Sequence, residues 1–332
     1  MTRHAGAPLT RVRMNCTGTR LITRRQAALT LLGAAACVQP LLATARAVHD
    51  RPLFEPLGGG LFVRSGRDEE AHPSNSGAIA NVGFIVGREC VATMDAGGSL
   101  EDGEALRRAI RLVTNLPIRY VILSHAHPDH VFGAAAFLED KPAFVGHAKL
   151  PRALALRGEY YRARLESELG KAKAGTVVAP TLLVEHSRRI DLGDRVLELT
   201  AHSTAHTDND LSVFDSATAT LLASDLLFVR RVPALDGSLR GWLKELSGLE
   251  AIPARRAVPG HGPASVDWPA AAAGLERYLN TLLTETRAAI ARGVTIDEAV
   301  NVVGQSERGR WALFDDYHGR NVTQAYKELE WE

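Results

Sequence analysis

Ser124-His125-Ala126-His127-Pro128-Asp129-His130 places four potential metal ligands within six residues, directly behind the apolar run Ile118 to Leu123. In an extended turn alternate residues share a face, so His125 and His127 point the same way. Asp129 and His130 emerge where a helix begins and face a second position. Neutral imidazole and carboxylate are the ligand types that zinc takes in catalytic sites. A solvated loop has no electrostatic reason to gather three histidines and an aspartate behind a core strand, so the stretch reads as a metal-binding turn.

Outward from this turn, short apolar runs alternate with helical spacing, the pattern of a layered α/β protein. Leu61 to Val63, Val82 to Val86 and Val91 to Met94 read as strands, and Asp102 to Val113 as a helix. A helix over Val131 to Leu138 and a strand over Ala143 to Val145 follow. An Arg/Glu-rich helical stretch from Pro151 to Lys173 predicts a cap or rim. Strands resume at Arg195 to Thr200, Leu211 to Phe214 and Thr220 to Ala223, and a helix at Leu239 to Leu249 presents Trp242, Leu243, Leu246 and Leu249 on one face. Pro259-Gly260-His261-Gly262-Pro263 reads as a rigid loop without strand propensity, and the tail from Trp268 as mostly helical. No repeat or linker divides this body.

His-Ala-His-Pro-Asp-His resembles the H-x-H-x-D-H signature of metallo-β-lactamase-fold hydrolases. The family's remaining ligands are then matched in order by His206 in Ala205-His206-Thr207, Asp225 in Ser224-Asp225-Leu226 and His261 in Gly260-His261-Gly262. Ala205 and Ser224 stand where glycine is common. The resemblance runs from about Leu61 to Pro263 and implies an αββα sandwich with a dinuclear zinc cleft at one edge. By the same resemblance His125, His127 and His206 hold one zinc ion, Asp129, His130 and His261 the other, and Asp225 bridges them. An aspartate at the bridging place is similar to the glyoxalase II branch rather than to the cysteine-bearing β-lactamases. Asn81 to Gly87, Val258 to Pro263 and Trp311 to Val322 are most similar to the quinoprotein relay system zinc metallohydrolases, encoded beside periplasmic quinoprotein dehydrogenases.

The function implied is hydrolysis of a small ester, thioester or lactam-like substrate, because zinc lowers the pKa of bound water to about 7 and supplies a nucleophile at neutral pH. Asp129 is the ligand expected to take part directly in catalysis. Two other readings use the same residues. An iron-dependent sulfur dioxygenase would use only the three-histidine site, against which the intact set Asp129, His130 and His261 argues. An accessory protein of a quinoprotein dehydrogenase system would bind or deliver a quinone cofactor without turnover. Asp95, Thr207 and Asp208 are candidates for orienting the imidazoles. His202, four residues before His206, is read as a non-ligand and His147 as a rim or satisfied polar residue rather than one lining the cleft. His186 and His318 are expected at the surface, with Tyr317-His318 placed to close over the site. Tyr160 and Tyr161 read either as substrate contacts or as packing of the cap helix.

The first 47 residues hold seven arginines and no acidic residue, followed through an apolar stretch, Ala27 to Val38, by Ala45-Arg46-Ala47. That is the layout of a signal peptide, and Thr23-Arg24-Arg25-Gln26 matches a twin-arginine export signal. Residues 48–332 are then the mature periplasmic hydrolase domain; Met14 is a second candidate start. Removing seven positive charges from a formal net charge of +1 leaves −6, which disfavours a nucleic-acid substrate. Only Cys90 remains in the mature chain, so no internal disulfide forms. Cys37 follows Ala34-Ala35-Ala36 without the usual leucine, which argues against a lipid anchor. Beyond the N-terminus no run has the length of a membrane span. Replacing Arg24 and Arg25 by lysine is expected to strand the protein in the cytoplasm on cell fractionation; an unchanged periplasmic yield would contradict the export reading.

Overall fold

The computed structural model describes residues 53–332. The export signal, its cleavage point near Ala47, Met14, Cys16 and Cys37 lie outside the described residues. Two sheets form the centre. The first has the order β1 (Glu55–Gly58), β2 (Leu61–Arg64), β3 (Val82–Val86), β4 (Val91–Met94), β5 (Ile118–Leu123), β6 (Ala143–His147) and β7 (Leu182–Val184). The second runs β13 (Val266–Asp267), β12 (Arg256–His261), β11 (Thr220–Phe228), β10 (Leu211–Asp215), β9 (Val196–Ala201) and β8 (Ser187–Asp191). Helices α1 (Leu100–Val113), α2 (Pro128–Val131), α3 (Leu150–Leu169) and α4 (Lys171–Ala174) accompany the first sheet. Helices α5 (Leu239–Glu250), α6 (Ala272–Ala291), α7 (Ile296–Val302) and α8 (Phe314–Leu329) pack with the second. No helix among the described residues is long and apolar enough to cross a membrane.

The layering follows from strand alternation. In β3, Val82 and Phe84 join the core under α1 and α3, while Ile85 points between the sheets. Val121 and Leu123 of β5 face the helices and Ile122 the sheet interface. On the second sheet Leu221 and Ala223 face Trp242 and Leu246, whereas Leu222 faces inward. Strands covered on both faces have no polar side, which is why Ile118 to Leu123 reads as a nearly continuous apolar run. The result is the expected αββα sandwich.

Two close approaches fix the helices beside the metal-binding turn. Ser99 caps α1 by accepting from the Asp102 amide at 3.2 Å, and Asp102 receives the buried Arg64 guanidinium. A Cβ on Gly103 would lie 2.1 Å from the Gly133 carbonyl oxygen, and one on Gly133 would lie 2.0 Å from that of Ala96. Glycine at both places lets α1 rest directly on the chain that leaves the turn.

Several local expectations are corrected. Val131 to Leu138 forms only the end of α2 and then a 3-10 segment, Phe132–Asp140, whose residues Phe132, Ala134 and Phe137 are buried. The stretch from Pro151 to Lys173 breaks at Gly170, at φ +87°, into α3 and α4. Residues Pro259 to His261 are not a loop but the end of β12. Proline is tolerated because β13 pairs only with Arg256 and Ala257, leaving Pro259 unpaired on that side. The edge strand β8 was hidden because Ile190 alone among its five residues turns inward.

Gly103→Ala should cost about 1–3 kcal/mol through overpacking at the α1 contact. A thermal unfolding midpoint within a degree of wild type would contradict that packing.

Candidate metal centre

The donors come from strand ends, from the loops and short helix that follow them, and in one case from within a strand. β5 delivers the metal-binding turn, anchored where the Ser124 amide donates to Asp95 Oδ1 at 2.8 Å. His127 is the N-cap of α2 and Pro128 opens that single turn, which sends Asp129 and His130 in different directions. His206 comes from the β9–β10 loop, pinned where Asp210 accepts from the Thr207 amide at 2.8 Å and hydroxyl at 2.6 Å. Asp225 lies within β11 beside a bulge at Ser224, which adopts φ +48°. A left-handed residue explains why glycine is common at that place. His261 ends β12, and a Cβ on Gly260 would lie 1.8 Å from Asp225 Oδ1, so only glycine fits.

The seven side chains meet in two adjoining groups: His125, His127, His206 and Asp225, and Asp129, His130 and His261. His206 Nε2 lies 3.3 Å from His125 Nε2 and 3.0 Å from His127 Nδ1. Asp225 stands between the groups, with Oδ2 3.3 Å from His206 Nε2 and 3.5 Å from His261 Nε2, and Oδ1 3.1 Å from His130 Nε2. Asp129 Oδ2 is 3.2 Å from His261 Nε2 and 3.6 Å from His130 Nε2.

The outer nitrogen of every imidazole is held. His206 Nδ1–H donates to the Ala234 carbonyl at 2.6 Å and His261 Nδ1–H to the Ile79 carbonyl at 2.9 Å. Carbonyls only accept, so whenever these two rings are neutral their lone pairs face the floor. His125 Nδ1 pairs with Ser124 Oγ at 2.9 Å, His130 Nδ1 with Asp95 Oδ2 at 2.8 Å and His127 Nε2 with Asp236 Oδ2 at 2.9 Å. Asp95 thus orients an imidazole as expected. Thr207 and Asp208 do not: Thr207 binds Asp210, and Asp208 accepts from Asn209 at 2.8 Å.

Burial opposes charge throughout, and neighbours decide the outcome. Burial, then His130, depress the pKa of His125, and burial likewise lowers that of His206. Burial opposes the His130 cation too, but Asp225, Asp95 and Asp129 hold its pKa well above the usual imidazole value. Burial disfavours the Asp225 carboxylate, yet His130 and His261 keep it ionised far below the ordinary range.

These residues fit a metal. His130 Nε2 and Asp225 Oδ1 are fully buried and have no near neighbour to satisfy them but each other, 3.1 Å apart, an arrangement that a shared cation would stabilise. Nitrogens bound to one tetrahedral zinc lie about 3.3–3.4 Å apart, close to the spacing of the three-histidine group. The donors are nitrogen and oxygen only; Cys90 is buried between the sheets.

The sequence profile of the metallo-β-lactamase superfamily matches residues 76–261. The chain belongs to this superfamily, whose members typically bind metal ions and are generally hydrolases or related enzymes. A metallo-β-lactamase from Pontibacter korlensis superposes with a TM-score of 0.56 at 17% identity, covering 68% of this chain and 98% of its own. The stereoselective inverting sec-alkylsulfatase Pisa1 from Pseudomonas sp. gives 0.62 at 16% identity, covering 83% of this chain. That match spans half of the alkylsulfatase. At these identities the likeness is one of fold. No curated protein sequence matches the chain.

The other histidines take different places. His202 is no part of the cluster; its ring joins Glu245 at 2.9 Å and Ser212 at 2.8 Å. His147 is buried at the end of β6, 3.3 Å from the His202 carbonyl. His186 is exposed as expected. His318 is not at the surface: it is 2% exposed, stacked on Phe314 and bonded to Tyr278 at 2.9 Å. Asp236 was not foreseen, because it lies 109 residues from its partner His127 and no local motif marks it. Asp236→Ala should weaken metal affinity about 10–100-fold at the three-histidine group, measured by chelator competition; unchanged affinity would refute its orienting role.

Proposed function

We propose that this chain is a periplasmic dinuclear zinc hydrolase of the glyoxalase II-like branch, acting on a small ester, thioester or related substrate. The observation that carries the reading is the complete seven-donor cluster, of which His127, Asp129, Asp225 and His261 line a cleft of about 600 Å³. A cavity of this size suits a small molecule. His125, His127 and His206 would hold one zinc ion, Asp129, His130 and His261 the second, and Asp225 would reach both. When bound, such ions supply Lewis acidity and an activated water at neutral pH.

The chain's own groups then set orientation and proton traffic. Asp236, Ser124, Asp95 and the carbonyls of Ala234 and Ile79 hold each imidazole in one tautomer. Asp129 is the carboxylate of the cluster that opens to the cleft, 16% exposed against 4% for Asp225. Burial opposes its charge, but His130 and His261 hold its carboxyl well below the usual range. It is therefore an ionised acceptor at the cleft floor, placed to take a proton from the attacking water. Phe228, stacked on His261 with ring centroids 5.1 Å apart, and Val232 supply apolar wall beside it.

The complete second donor group supports two metals over the single iron of a sulfur dioxygenase. The similarity to proteins encoded beside quinoprotein dehydrogenases supports a role in such a system, and the substrate is the partner this site is built for. Zinc-loaded protein should hydrolyse a thioester or an activated ester, with little activity on β-lactams. Asp129→Asn should lower kcat at least about 100-fold with a much smaller change in KM. Absence of turnover on all three classes together with tight binding of a quinone cofactor would replace this reading with the accessory one.

A further inference from the structure

Two residues of the cleft wall lie outside the part of the chain matched to the superfamily: Glu70 before it and Tyr317 after it. Both meet Arg231, which follows β11 and is 4% exposed. The Arg231 guanidinium donates to the Tyr317 hydroxyl at 2.9 Å and to the Glu69 carbonyl at 2.9 Å, and it pairs with Glu70 at 3.2 Å. The Tyr317 hydroxyl in turn donates to Glu70 Oε1 at 2.6 Å. Burial raises the Tyr317 pKa above its usual value, so the hydroxyl keeps the proton that it donates. The β2–β3 loop, the segment after β11 and α8 are thereby joined in one closed ring of contacts.

That ring is one end of a line of direct contacts whose other end is a metal donor. The Glu70 carbonyl accepts from Asn75 Nδ2 at 2.9 Å, and Asn75 Oδ1 accepts from the His72 and Gly77 amides at 2.9 and 3.0 Å. The Asn75 carbonyl takes the Ala78 amide at 2.8 Å. Asn75 is 6% exposed, so water competes little for these bonds. Next along the chain is Ile79, whose carbonyl receives His261 Nδ1–H at 2.9 Å. The start of the loop closes on the same peptide: the Gly66 amide donates to Asn81 Oδ1 at 2.7 Å, and a Cβ on Gly66 would lie 2.1 Å from the Ile79 carbonyl oxygen. The three-histidine group takes its outer partners elsewhere, from Ser124, Asp236 and Ala234.

Resting on the two-metal reading, we propose that Tyr317 is a positioning residue for the second donor group. Through Glu70 it fixes the β2–β3 loop, and through the loop the Ile79 carbonyl that aims the His261 ring. The C-terminal helix, outside the matched superfamily segment, thus sets how tightly this chain holds its second ion. A ligand already held in its binding orientation loses less freedom when the ion arrives, which is why the partners of metal-bound imidazoles govern affinity.

The test uses Tyr317→Phe, which keeps the ring against Arg231 and deletes only the hydroxyl. Competition between the metal-free full chain and a chromophoric zinc chelator gives two stepwise dissociation constants. Crystals grown at limiting zinc assign each constant to a donor group by anomalous peak height. Tyr317→Phe should weaken zinc about three- to tenfold at the Asp129, His130 and His261 group and less than about twofold at the three-histidine group. In the metal-free chain the amides of Gly77, Ala78 and Ile79 should exchange hydrogen faster than in wild type. Glu70→Ala should copy the loss, and Glu70→Gln, whose amide oxygen still accepts from Tyr317, should recover most of it. Unchanged constants, equal weakening of both ions, or equal losses in Glu70→Ala and Glu70→Gln overturn the proposal and leave the two-metal reading standing. A wild type that binds one zinc ion overturns both.

Discussion

A buried carboxylate that faces four imidazole nitrogens is the constraint around which this fold is arranged. Asp225 is 3% exposed, and the group facing its Oδ1 is His130 Nε2 at 3.1 Å. Such a group is tolerated only when opposite charge compensates it, and in this chain the compensation has to come from the centre of the cluster. Backbone choices around it serve the same end. Ser224 takes a left-handed conformation, Gly260 gives up a side chain so that the carboxylate can lie against its backbone, and Asn81 donates to the Pro259 and Pro263 carbonyls at 2.8 and 3.1 Å. That last pair of hydrogen bonds ties the first sheet to the end of β12, so the donors from both halves of the sandwich stay in register.

The outer ring of contacts explains how five imidazoles can share so small a space. A neutral histidine presents a lone pair at one nitrogen and a proton at the other, and each outer nitrogen here is tied to a carbonyl, hydroxyl or carboxylate. Ser224 adds a link between these partners, with its Oγ 3.1 Å from Asp95 Oδ2 and 2.8 Å from Ser124 Oγ. Its departure from glycine therefore gains a hydroxyl at the hub of the network, a feature invisible without the fold.

The donor cluster was legible in the sequence because its chemistry is locally dense: four donors in six residues, then single residues with matching flanks. The layered core was legible because strands buried on both faces become short apolar runs, and helices show their spacing. What was not legible is what depends on distant pairing. Asp236 and Ala234 reach the histidines from far along the chain, and β12 continues through Pro259 only because its outer neighbour β13 is two residues long. His318 looks polar in the sequence and is buried because Tyr278 and the Val303 carbonyl satisfy both ring nitrogens. Tyr160 could be read either way; the structure leaves it uncovered at the mouth of the cleft.

The central claim is that the two donor groups bind metal ions together. Its most direct test is anomalous diffraction from crystals of the zinc-loaded protein, with data collected on both sides of the zinc absorption edge. The account predicts two anomalous peaks, one among His125, His127 and His206 and the other among Asp129, His130 and His261, with Asp225 between them. A single peak, or zinc located away from these seven residues, would contradict it.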